Sequence, residues 1–175
     1  MFFDELGYSF LERLWRTWAP RGKRPVIHRV TRDRRALTTA VGLTLSGKIY
    51  KRSFEGAMDS DDVIAALEHV RRFLPEGFIL ILDRAPIHTS EAMLLYFWNH
   101  PEIMVEPLPP YAPELNPEEY CHGNVKRRQA NATPDDRAQM RRFLDRGFAR
   151  LRHRPDLLLS FVHAAGLPVR QLWLT

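Results

Sequence analysis

The run Gly77–Asp83, GFILILD, constrains the fold more than any other stretch of this 175-residue sequence. Five consecutive large apolar residues bounded by a glycine and an aspartate predict a strand buried on both faces, in the middle of a sheet covered by helices. The run is far shorter than the roughly 20 apolar residues of a membrane-spanning helix. The strand therefore belongs to a packed core, and the surrounding sequence must supply the layers that cover it.

The flanking patterns supply them. Residues 1–6 are aromatic-rich and strand-like, and 34–54 reads as two strands joined by a turn at Ser46-Gly47. The segment 59–74 is amphipathic, with Val63, Leu67, Val70 and Leu74 at helical spacing, Ser60 or Asp61 as its cap, and Pro75 and Gly77 as its stop. After the apolar strand, 89–100 reads as a helix with a Thr/Ser cap, and 103–108 as a further strand. A helix is expected from Asn116 to about residue 130, a second from Thr133 as cap with Pro134 in its first turn, and a last over roughly 155–165. Strand-turn-strand followed by alternating helices and strands predicts one α/β domain over 1–175, a mixed central sheet flanked by helices.

Two features of this chain go beyond folding. The segment 107–120, PLPPYAPELNPEEY, places five of the thirteen prolines within eleven positions and ends on Glu118 and Glu119. Locally, Asn116 is a good N-cap, Pro117 suits the first helical position, and Asn-x-x-Glu approximates a capping box. That reading leaves the stiffened approach through Pro107, Pro109, Pro110 and Pro113 without a purpose, whereas a carboxylate held to a fixed geometry would need it. The second feature is Asp83. It is either a turn residue opening the next loop or a ligand at the carboxyl end of a strand, where open α/β sheets place their sites. Taken together, an aspartate at a strand end and a glutamate in a first helical turn suit a hard cation such as Mg²⁺ or Mn²⁺. Such ions serve in pairs in the displacement of phosphodiesters.

The quoted residues carry a resemblance. ILILDRAPIHTS, then VEPLPPYAPELNPEE, then VKRR resembles the core of DDE transposases of the insertion sequence 630 and mariner-like group, with 35 residues between Asp83 and Glu119. FFDE near the start is similar to that group's first acidic strand, and RTWAPRGKRPV (16–26) to the segment after it. The resemblance implies a ribonuclease-H-like fold, a catalytic and metal-binding triad of Asp4, Asp83 and Glu119, and two Mg²⁺ or Mn²⁺ ions. It also implies DNA cleavage at the ends of a mobile element, followed by transfer of the freed 3′-hydroxyl strand to target DNA. Strand alternation points Asp4 and Glu5 to opposite faces, so only one of them enters the site. The sequence departs from the group at Arg84, where asparagine is usual, and at His122, where tryptophan is common. Arg84 would hold substrate phosphate or neutralise Asp83.

The remaining candidates fit the same reading. His88, five residues after Asp83, is expected to fix the loop by a hydrogen bond, with a general-base role as the alternative, and Asn116 to support Glu119 by capping its helix. Lys126 lies two turns beyond Glu119, and with Arg127 and Arg128 it would contact DNA or complement the helix dipole. Arg142, Arg146 and Arg150 form a stripe that is either a solvated face, the reading preferred, or a DNA track, opposite Met140, Phe143, Leu144, Phe148 and Leu151 in the core. Arg32, Arg34 and Arg35 are candidates for flanking a substrate channel. A net charge of +5, carried by arginine excess, suits a polyanionic partner such as DNA. Cys121 is the only cysteine, so no internal disulfide forms and a reducing, cytoplasmic setting is expected; the resemblance implies a bacterial protein acting at the nucleoid. By resemblance, a helix-turn-helix region would precede this domain. None is expected before Phe2, which points to a separate helix-turn-helix subunit as a partner, and the resemblance also implies a homodimer that brings two element ends together. A catalytically inactive remnant, or a regulatory DNA-binding or assembly protein of the same fold, is the alternative.

Overall fold

The computed structural model describes residues 1–10, 14–28 and 37–169. Strands β1 (Phe2–Tyr8), β2 (Leu37–Leu43) and β3 (Ile49–Glu55) form an antiparallel meander. The turn between β2 and β3 places Gly47 at φ 76°, a left-handed position that favours glycine. Helix α1 (Ser60–Arg71) leads to β4 (Phe78–Leu82), α2 (Glu91–Asn99) and β5 (Ile103–Pro107). A 3-10 turn at Pro113–Leu115 precedes α3 (Pro117–Arg128), α4 (Arg137–Arg152) and α5 (Pro155–Ala164). The sheet order is β3-β2-β1-β4-β5, with β4 parallel to β1 and to β5, so the first strand made is the middle one.

Two cores cover the sheet. On one face, α1 and α2 bring Val63, Ala66, Leu67, Met93 and Tyr96 against Phe3, Ala40, Leu80 and Leu82. On the other, α3, α4 and α5 bring Val125, Leu144, Phe148, Leu151 and Leu158 against Tyr8, Leu37, Val41 and Leu43.

Three sequence expectations are corrected. Strand β4 is buried on one face only: Leu80 and Leu82 are in the core, while Ile79 is 49% exposed. The reason lies in the layers, since α3 and α4 pack on β1, β2 and β3 and leave the outer side of β4 and β5 uncovered among the described residues. Helix α1 is capped by Asp59, whose side chain accepts from Asp62 N–H, one residue earlier than the candidates Ser60 and Asp61. Helix α4 starts four residues after Thr133, with Asp136 accepting from Gln139 N–H. An aspartate with a free N–H three residues on displaced the Thr-Pro signal. Arg32, Arg34 and Arg35 lie outside the described residues.

Candidate active site

Strand β1 pairs with β4 only at Phe2 and Ile81, and beyond that point the two strands part. Asp4 and Asp83 stand at this opening. The main chain after β5 stays tied to β4, with Leu108 N–H donating to Leu82 C=O at 2.8 Å, and then enters the proline loop. The loop tightens into its 3-10 turn, where Asn116 N–H donates to Pro113 C=O at 3.0 Å. Asn116 then caps α3, its side-chain oxygen accepting from Glu118 N–H at 3.2 Å. Because the Asn116 amide is already bonded to Pro113, the capping box does not close. Glu119 is left exposed, facing the pocket.

The pocket so formed has a volume of about 450 Å³ and is lined by Asp4, Asp83, Arg84, Tyr111, Asn116 and Glu119, among others. Asn116 serves twice: its amide nitrogen donates to Asp4 Oδ2 at 3.1 Å, fixing the strand acid to the helix that carries Glu119. Asp4 Oδ1 accepts from Glu5 N–H at 2.8 Å. Burial, and then the charges of Glu119, Glu5 and Asp83, push the Asp4 carboxyl up to about 7, against the Glu5 amide that lowers it. Glu5 points the other way, as alternation requires, and meets His88.

His88 is a buried bridge between two acids. Its Nδ1 lies 2.8 Å from Asp83 Oδ1 and its Nε2 3.0 Å from Glu5 Oε1. Asp83 Oδ1 also accepts from Ala85 N–H at 2.9 Å. Burial pulls the imidazole down, but the hydrogen bond to Glu5 and the charges of Glu5 and Asp83 outweigh it and lift His88 to about 9. A cationic His88 donates from both nitrogens, so it orients Asp83 and holds Glu5 away from the pocket.

Behind the acids, α3 turns a polar set into the core. Glu118 is fully buried, and burial followed by the nearby Asp4 charge holds its carboxyl well above the usual range, against a hydrogen bond from Cys121. His122 is also buried, with Nδ1 3.3 Å from the Tyr8 hydroxyl.

The sequence candidates divide by position. Asp4, Asp83, Arg84, Asn116 and Glu119 line one pocket. Lys126 does not reach it; its Nζ sits 5.5 Å from the centre of the Tyr8 ring, beside Trp15. Arg127 and Arg128 are exposed in the last turn of α3. Tyr111 was missed. It is fully exposed at the pocket with φ 56°, an uncommon conformation for a bulky residue that prolines on both sides help to hold. Its place within a proline-dense loop was the available signal.

The carboxylate set is all oxygen, the donor chemistry of a hard dication. Among the described residues no three Asp, Glu, His or Cys side chains stand close enough together to hold one ion. The acids share a pocket rather than a point. The crowding that raises Asp4 is what a cation would relieve, and Asp4, Asp83 and Glu119 all bring carboxylate oxygens to the shared pocket.

Residues 1–141 match the family model described as DDE superfamily endonuclease. The chain belongs to the DDE superfamily endonucleases. Among solved structures, this DDE domain is similar to the Mos1 transposase paired-end complex with left transposon end, at 21% identity and TM-score 0.65, covering 98% of this chain and 55% of that one. It is also similar to the catalytic domain of Mos1 mariner transposase, at 20% identity and TM-score 0.61, covering 97% and 83%. A third is the mariner Mos1 paired end complex with Mg, at 20% identity and TM-score 0.66, covering 94% and 55%. These likenesses show the fold, which is ribonuclease-H-like with the order given above. The DDE domain spans about 55% of the transposase chains in the complexes. No curated protein matches it. None of its described helices is long and apolar enough to cross a membrane.

Proposed function

We propose that this chain is the catalytic domain of a metal-dependent DNA transposase, with Asp4, Asp83 and Glu119 as its metal-binding triad. One observation carries the reading: a strand-end acid from β4, an acid from the central strand β1 and a first-turn acid of α3 line the same pocket. The Mos1 complexes with Mg and with Mn support a hard divalent ion by analogy. When bound, two such ions would supply charge neutralisation and an activated oxygen nucleophile.

The residues of the chain do the rest. Asp4, Asp83 and Glu119 would hold the ions, with Asn116 and His88 fixing the first two carboxylates. Arg84 at the rim would pair with a phosphate oxygen, and its guanidinium fork suits that geometry. Tyr111 offers a flat apolar face on which an unpaired base can stack. Both expected steps, attack by water at an element end and attack by the freed 3′-hydroxyl on target DNA, are in-line displacements at phosphorus and need only one site. Lys126, Arg127 and Arg128 would steady DNA farther along α3. Element ends, target DNA, a second copy and a separate helix-turn-helix subunit are the expected partners.

A second reading, a DNA-binding or assembly protein without catalysis, is favoured by the separation of the three acids. Purified protein with supercoiled plasmid and Mn²⁺ or Mg²⁺ tests both. Metal-dependent nicking by the wild type, lost in Asp83→Asn and Glu119→Gln, is expected on the first reading. Nicking that survives in those variants would refute it, and metal-independent DNA binding without nicking would favour the second.

A further inference from the structure

A second cavity, about 290 Å³, opens between α3 and α4 at the end of α3 away from the acids. Its rim carries Arg128, Arg146 and Arg150, its wall Gln129, and its floor Val125 and Gly147. Gly147 lets the helices close up, since a Cβ there would stand 2.9 Å from Val125 Cγ1. No acidic side chain lines the cavity.

Some cations of this domain are matched by acids. Lys51 pairs with Asp145, Arg71 with Glu68 and Glu102, Arg137 with Glu55, and Arg154 with Asp156. Arg128, Arg146 and Arg150 have no such partner among the described residues. Two donors of its lining residues are also buried without an acceptor: Arg150 Nη1 and Gln129 Nε2. A buried donor left unpaired is destabilising, and three guanidinium groups around one cavity repel each other. Burial, and then the charges of Arg128 and Arg154, hold Arg150 below its usual value. Helix-end electrostatics accounts for Arg128 and Arg150 in the last turns of α3 and α4. It accounts for neither the buried donors nor Arg146, which sits inside α4.

We infer that the Arg128–Arg146–Arg150 cavity is a phosphate-binding site, in which the anion is neutralised by the three surrounding guanidinium groups. Arg142 and Arg146 are exposed, as a solvated stripe requires, but Arg146 and Arg150 also face Arg128 across a cavity that Arg142 does not line. The source of the phosphate rests on the DNA reading given above; the site itself does not. Arg128 lies nine residues beyond Glu119, about 13 Å along the helix at about 1.5 Å per residue. A DNA strand leaving the acidic pocket would meet it roughly two nucleotides on, at about 6–7 Å per nucleotide of backbone, a span compatible with the site size of strand-tracking grooves.

The test pairs two measurements on the wild type, on Arg146→Gln/Arg150→Gln and on Arg146→Gln alone, all in EDTA. One is the salt dependence of binding to a labelled DNA duplex by fluorescence anisotropy, and the other is the thermal shift given by inorganic phosphate. The expected result is a slope of log K against log salt reduced by about 1 for each DNA phosphate the variant no longer neutralises. Phosphate should raise the melting temperature of the wild type and not that of the double variant. Arg146→Gln alters one exposed side chain and should shift both readouts in the same direction if the double variant does not fold. DNA binding with an unchanged slope, together with no phosphate effect, overturns the site and leaves the DNA reading standing. No DNA binding with a phosphate effect confined to the wild type overturns the DNA reading, keeps the site, and assigns it to a free phosphate compound. Neither effect overturns both.

Discussion

His122 is the residue through which acid should weaken this fold. It is almost completely buried on α3 between Tyr8 and Phe148, with its ring 5.8 Å from that of Phe148. Burial, helped by the Lys126 charge and opposed by the Asp4 main chain, holds its imidazole down at about 3. In the unfolded chain the same group titrates at about 6.5. The folded value is the lower one, so the stability this neutral ring permits is complete above about pH 6.5 and is lost as pH falls towards 3. The slope between those limits is about 1.4 kcal/mol per pH unit, and the loss between pH 7 and pH 5 comes to about 2 kcal/mol. His122→Gln removes the titration while keeping a side chain that can meet the Tyr8 hydroxyl. Urea unfolding of metal-free protein at pH 5, 6 and 7 should show the wild type losing about 2 kcal/mol more than the variant across that range. Asp4 and Glu118, raised rather than lowered, act in the opposite sense in both proteins and drop out of the difference. Equal losses in the two proteins would refute the argument that His122 is buried neutral.

Asp4, pushed up to about 7, must lose its proton to bind a metal ion; Mn²⁺ affinity by calorimetry should be about tenfold weaker at pH 6 than at pH 8, and a flat profile would remove Asp4 from the site. His88→Gln breaks the bridge from Asp83 to Glu5; Mn²⁺ affinity should fall about 10–100-fold, as for other residues that orient ligands, and an unchanged affinity would make the bridge structural only. Leu144 is wholly buried in the core that joins α4 to the sheet. Leu144→Ala should lower unfolding stability by about 2–5 kcal/mol in urea, and a loss below about 1 kcal/mol would contradict the packing described.

Where the sequence was legible, local chemistry and tertiary context agreed. The GFILILD run, the Ser46-Gly47 turn and the Asn116-Pro117 helix start each state their structure within a few residues, and a mixed sheet flanked by helices follows from them with the resemblance. Placement of the acids was legible because strand ends and helix starts are geometric landmarks. What was hidden depends on layers. Ile79 reads as core but is half-exposed, because whether a third layer covers β4 is decided by where helices forty residues later choose to pack. The cavity shared by Arg146 and Arg150 with Arg128 was hidden for the same reason: nothing in the spacing of the α4 arginines says that the end of α3 lies opposite. Asn116 was read as a cap only. Its second bond, to Asp4, joins positions 112 residues apart, a link no local pattern records.

The order of the sheet has a consequence for how the protein is made. Synthesis delivers β1 first, yet β1 ends as the middle strand, and one of its edges has no partner until β4 is available 79 residues later. Pairing at that separation is among the slower steps open to a folding chain, and until it occurs the free edge invites other strands. The acidic pocket sits on that same seam and is closed last by α3. A partly folded chain thus contains all three acids with none of their convergence, and whatever chemistry the pocket performs is withheld until the longest-range contacts of the domain are in place.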